Sequence, residues 1–126
     1  MMRGRGASAA LVLALALAEA PLAAQSDPVP PSRDLDCAIW ASHVAGSSTD
    51  PERVKGAIAM IGYFVGRYEA ATGKDIDAAM LPQSIAMTDR DVAALEKPCQ
   101  KRVLAFSARM GALGERIVAA AKASRD

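Results

Sequence analysis

Few residues in this 126-residue chain are equipped for chemistry, and their spacing narrows what they can do. The two cysteines, Cys37 and Cys99, stand 62 positions apart, and neither belongs to a C-x-x-C arrangement. A redox-active thiol pair is therefore disfavoured against one structural disulfide. In the chain-entropy treatment, closing a loop of that length is worth about 4 kcal/mol. His43 is the only histidine, so a Ser-His-Asp or Cys-His mechanism would rest on that single side chain. It falls near the predicted end of a helix, where a histidine usually serves as a solvated C-terminal residue. With no His/Cys cluster and no C-x-x-C-H, no metal or haem is expected. No phosphate loop or dinucleotide fingerprint is present either, so no cofactor is expected. The carboxylate pairs Asp75/Asp77 and Asp89/Asp91 are two residues apart and so point to different helix faces. That suits caps and solvated faces better than a paired acid and base. No catalytic residue is assigned.

The most distinctive run is Tyr63-Phe64-Val65-Gly66-Arg67-Tyr68-Glu69. Phe64 and Tyr68 fall on or beside an apolar stripe, whereas Tyr63 and Arg67, at i and i+4, share another face. That pair reads as a ring packed by an arginine stem, in cation–π geometry, or as an interface patch. Tyr63 and Arg67, with Gly62 and Gly66 beside them, are the candidate interface residues.

Several elements must position these residues. Residues 1–24 have the layout of a secretory signal peptide: Arg3 and Arg5, an apolar core over 7–18, and small residues leading to cleavage after Ala24. About a dozen apolar residues is short of the roughly 20 needed to span a bilayer, and no cysteine follows for a lipid anchor. Residues 25–33, with three prolines, read as a flexible lead-in, and 34–126 as one helical domain. From Gln25 onward the chain has 13 basic and 13 acidic side chains, a balance that excludes a general nucleic-acid or anionic-membrane binder. The charge is uneven: residues 25–95 hold 6 basic and 10 acidic groups, and 96–126 hold 7 and 3. This suggests that the last helix lies on acidic partners within the fold, with a dimer as the weaker reading.

The first helix is predicted to be capped by Ser32 or Asp34, with Cys37, Trp40, Ala41 and Val44 on one face. The organising element is a long helix over 53–74, opened by a Thr49–Glu52 capping box or by Asp50 with Pro51 at the first position, and closed by Gly73. Its predicted buried stripe is Val54, Ile58, Ile61, Val65, Tyr68 and Thr72. Gly62 and Gly66, with Ala59 and Ala70, form a small-residue row read as close packing within the domain, or less favourably as a dimer face. A short helix over 75–81, capped by Asp75, should stop or be redirected at Pro82. A Thr88–Asp91 capping box should open another short helix through Leu95. Pro98 should start the last long helix, with Cys99, Val103, Phe106, Met110, Leu113, Ile117 and Ala120 on its apolar face. No strand is predicted. The expected fold is all-α: a small disulfide-stapled bundle of four to five helices, its two long helices roughly antiparallel.

Cys37-x-x-Trp40, Tyr63-Phe64-x-Gly66-x-Tyr68-Glu69 with Thr72-Gly73, and Met87-Thr88 leading to Leu95 and Cys99 carry a resemblance. The chain resembles a group of small uncharacterised exported helical two-cysteine proteins of α-proteobacteria. That resemblance implies helices and one disulfide, and brings no activity. In architecture alone the chain is loosely similar to HdeA-type periplasmic acid-stress chaperones. The expectation is a periplasmic or secreted non-enzymatic protein that binds a protein partner, an envelope component or itself as a dimer, without nucleic acid and without a membrane span after cleavage. An acid-activated holdase is the alternative, and a small enzyme using His43 is disfavoured.

Overall fold

In the computed structural model, which describes residues 28–125, the chain forms five α-helices and, among those residues, no strand. They are α1 (Pro31–Ser47), α2 (Pro51–Thr72), α3 (Asp77–Ala86), α4 (Asp89–Ala94) and α5 (Glu96–Ala123). The signal peptide expected over 1–24, and lead-in residues 25–27, lie outside the described residues. The rest of the lead-in is shorter than expected: 28–30 are extended or irregular, and 31–33 already belong to α1.

Neither Ser32 nor Asp34 caps α1. Pro30 is the N-cap, at φ −60° and ψ 144°, and Pro31 opens the helix. A proline there loses nothing by lacking an N–H, because that group would have no helical partner. Asp34 is instead a helical residue, only 1% exposed. For α2 the structure selects the second of the two predicted starts: the Asp50 carboxylate accepts from the Glu52 N–H at 3.0 Å, and Pro51 follows. Gly73 ends the helix at φ +66°, a left-handed conformation that a residue with a Cβ adopts only with strain.

Pro82 does not stop α3, which continues to Ala86. The ring removes one intrahelical N–H from a ten-residue helix, and the backbone turns through it. Asp75 is exposed and does not cap α3; the Ile76 N–H is met by Glu69 Oε1 at 3.2 Å. The Thr88–Asp91 capping box is present in both directions. α5 begins at Glu96, placing Pro98 in its first turn.

The centre of the bundle is α1 rather than the longer α2, since α1 touches each of the other four helices. Cys37, Ala38, Ile39, Trp40 and Ala41 are consecutive and all buried, so this helix is covered on more than one face. Small Ala38 and Ala41 allow neighbours to approach where the predicted single stripe left open surface. On α2 the buried positions are Ala57 and Phe64, with Ile61 and Tyr68 half-buried, whereas Ile58 is 58% exposed. The buried face is thus rotated about one residue from the predicted stripe.

The disulfide Cys37–Cys99 ties the first turns of α5 to α1, with Cα atoms 5.5 Å apart. Antiparallel packing relates α1 to each long helix and does not relate the long helices to one another. The beginnings of α2 and α5 meet at Arg53–Glu96 (3.6 Å) and their middles at Tyr63–Phe106, so these two run in the same direction. The short helices α3 and α4 carry the chain back along α1 before α5 starts. The small-residue row does not bring a helix close. Gly62 and Gly66 are exposed, and a Cβ placed on either would meet nothing within 4 Å. α2 and α5 flank an apolar groove of about 380 Å³ lined by Trp40, Gly56, Ala57, Met60, Val103 and Ser107. No described helix is long and apolar enough to cross a membrane.

Candidate interaction surface

The three long elements converge on one carboxylate. Asp34, from the first turn of α1, is the sole buried charged side chain among the described residues. Its Oδ1 accepts from Arg67 Nε of α2 at 3.0 Å and from Arg102 of α5. The Arg102 guanidinium also donates to the Arg33 carbonyl at 3.2 Å and lies 4.9 Å from the Phe64 ring centroid. Hydrogen bonding to Asp34 is the main reason that the Arg67 pKa is raised above its ordinary value; burial opposes the shift, and the Asp34 charge and Tyr63 add to it. A buried carboxylate is tolerable only when it is paired and hydrogen-bonded, as this one is.

Outward from this hub the surface becomes aromatic and basic. Tyr63 stacks against Phe106 at 4.2 Å between centroids and lies 5.1 Å from buried Phe64. Arg67 sits over the Tyr63 ring at 5.8 Å, the cation–π geometry read from the i, i+4 spacing. Arg67, Arg102 and Arg109 face a shallow cavity of about 250 Å³ that also includes Tyr63, Phe106 and Val29. Arg109 has no acidic partner within salt-bridge distance among the described residues. Two of the three guanidinium groups share one buried carboxylate and the third has no acidic partner among the described residues, so the surface keeps a positive excess beside the rings. Such a surface can receive an anionic group while packing an apolar one.

Of the four interface candidates, Tyr63 and Arg67 belong to this surface. Gly62 and Gly66 are exposed on α2 and do not line the cavity. From sequence Asp34 reads only as a candidate cap and Phe106 only as part of the apolar face of the last helix, and Arg102 and Arg109 carry no assigned role. One signal was present: Arg102, Arg109 and Arg116 recur every seven residues and so share a side of α5. Nothing in the sequence pointed to Asp34, because an acidic residue near a helix start is usually a cap.

His43 is exposed on α1 and lines a separate open cleft of about 560 Å³ with Asp50, Arg53, Asp89 and Glu96. Two of these carboxylates have partners already: Asp50 caps α2, and Glu96 pairs with Arg53 and accepts from Gln100. Among the described residues no hydrogen bond links the His43 ring to a carboxylate; its carbonyl accepts from Ser47. Asp91 serves the α4 cap, and bonds from the Thr88 backbone N–H and then its hydroxyl hold the carboxyl below the usual carboxylate range. Comparison with protein-family models, curated proteins and solved structures finds no match to this chain.

Proposed function

We propose that this is an exported, non-enzymatic helical protein that binds a protein partner through the face formed by Tyr63, Arg67, Phe106 and Arg109. The observation that carries the reading is the basic, aromatic cavity, in which Arg67 and Arg102 share a single buried carboxylate and Arg109 has no acidic partner among the described residues, beside the paired rings of Tyr63 and Phe106. Tyrosine and arginine are the side chains most often found to dominate protein interfaces, because each combines contact area with hydrogen-bonding capacity. The N-terminal export signal and the single disulfide support an oxidising compartment outside the cytoplasm. The test is photocrosslinking in intact cells from a probe at Phe106, with a control probe at Lys55. The expected result is a discrete adduct from Phe106 that disappears with Arg109→Glu. Equal labelling from both positions, or none from Phe106, overturns the reading.

An acid-activated holdase is a second reading, favoured by the equal numbers of basic and acidic side chains from Gln25 onward. In strong acid carboxylates protonate while arginines stay charged, and the net charge from Gln25 onward rises toward about +13. An aggregation assay at pH 2–3 with an acid-denatured client decides it: protection is expected, and unimpeded client aggregation removes this reading.

A further inference from the structure

The face formed by Tyr63, Arg67, Phe106 and Arg109 carries a charge that the described fold does not answer. Three arginines line its cavity beside the two rings, and no acidic residue lines it. The carboxylate behind it, Asp34, is 1% exposed and already shared by Arg67 and Arg102. Arg67 reaches that carboxylate through Nε, and 42% of its side chain stays exposed. Arg109 is exposed and has no acidic partner within salt-bridge distance among the described residues. The register that sets Arg53 against Glu96 and Tyr63 against Phe106 brings Arg67 nearly level with Arg109. Two exposed arginines therefore stand beside the ring pair, and with Asp34 counted the set keeps an excess of two positive charges. The cavity, about 250 Å³, is smaller than the roughly 300–1,000 Å³ of pockets that enclose a whole small ligand. It suits side chains that project from a larger body.

We infer that the partner enters this cavity with an acidic segment, in which an aspartate or glutamate side chain neighbours an apolar one. The inference rests on the reading of this face as a protein-binding surface, and it names the partner's chemistry. The carboxylate meets Arg67 and Arg109, and the apolar side chain lies against the half-buried rings of Tyr63 and Phe106. A guanidinium offers paired N–H donors that match the two oxygens of a carboxylate. Charge attraction orients the approach, and burial against the rings supplies contact area. A basic segment would be repelled. A neutral apolar segment would take water from the guanidinium groups without giving them an anion, which costs free energy.

Nuclear magnetic resonance titration of the purified, oxidised protein tests this, following the Arg109 side-chain N–H and the Phe106 ring. The probes are three peptides blocked at both ends: one alternating Glu with Phe, one with Gln replacing each Glu, and one with Ser replacing each Phe. The Glu–Phe peptide should shift both signals, and each control should bind at least about threefold more weakly, as expected for a contact at a partly exposed site. Arg109→Gln changes an exposed position, so its helical circular dichroism should match the parent's while the Glu–Phe peptide binds more weakly. Added salt should weaken that peptide too. Equal binding of the Gln peptide overturns the inference in favour of a purely apolar contact, and equal binding of the Ser peptide in favour of unselective charge attraction. Inorganic phosphate that moves the same signals as strongly at equal concentration overturns it in favour of a general anion site. Binding seen only with Asp27→Asn overturns it in favour of the chain's own lead-in, because Asp27 stands two residues before Val29, which lines the cavity. Binding of no peptide overturns it as well. If the Phe106 adduct still forms and still requires Arg109, only the partner's chemistry is wrong, whereas an absent adduct counts against the protein-binding reading itself.

Discussion

The two halves of α5 have the same apolar spacing and opposite fates. From Cys99 to Met110 the stripe is buried or half-buried against α1 and α2, and it is fixed by the disulfide, by Arg102 on Asp34 and by Phe106 on Tyr63. From Leu113 to Ala120 the same stripe faces outward. An amphipathic pattern states which side of a helix wants cover, and says nothing of how far the covering element extends. Here α1 is only 17 residues long against 28 for α5, so the core ends before the helix does.

This contrast can be broken or sharpened by substitution. The largest effect is expected at the anchored end, where Cys37→Ser with Cys99→Ser should cost about 4 kcal/mol in denaturant unfolding. A loss near zero would mean that packing alone holds α5. Asp34→Ala should come next, at about 3 kcal/mol, since it strands two guanidinium groups against the core; the exposure of Arg67 keeps the figure at the lower end for a broken buried pair. Because Asp34 raises the Arg67 pKa, that group's contribution is complete below its ordinary value and is lost only as pH rises beyond it. Alkali short of that extreme should leave the hub intact.

Gly66→Ala should act in the other direction, stabilising the fold by up to about 1 kcal/mol, because the site is helical and open. Destabilisation measured by thermal melting would show that another element does approach α2 there. At the distal end Ile117→Ser should change the stability of the dilute protein by less than about 0.5 kcal/mol, in contrast with any change at Phe64 or Cys99. The smallest effect belongs to the α4 cap. Asp91 has a lowered pKa, so its contribution is complete above the ordinary carboxylate value and is lost as pH falls through the lower folded one. Amide exchange should quicken in α4 on acidification; Thr88→Ala, which keeps the backbone N–H bond, should weaken that pH dependence, and Asp91→Asn should remove it.

Much of the fold was legible in local chemistry. Asp50-Pro51, Gly73 and Thr88–Asp91 mark helix ends through hydrogen bonds and dihedral limits that act within four residues, and each works as read. Pro82 and Pro98 were read too strictly: Pro98 stands in the first turn of α5, where its missing N–H has no helical partner, and Pro82 removes one N–H from the middle of α3 without ending it. The candidate surface was half legible. Tyr63 and Arg67 share a face by spacing alone, whereas Phe106 and Arg109 reach them only because α5 runs alongside α2 in the same direction.

The sequence by itself determined that this protein is helical, where most of its helices begin and end, and that two cysteines 62 residues apart were available to join. Those properties depend on short-range sterics, hydrogen bonding and periodicity. Only the tertiary structure decided that α1 lies at the centre, that Asp34 is an ionic hub rather than a cap, and that the distal part of α5 has no cover among the described residues. Those outcomes depend on which faces meet, and burial of one carboxylate or exposure of one stripe follows from the lengths and directions of all the helices together.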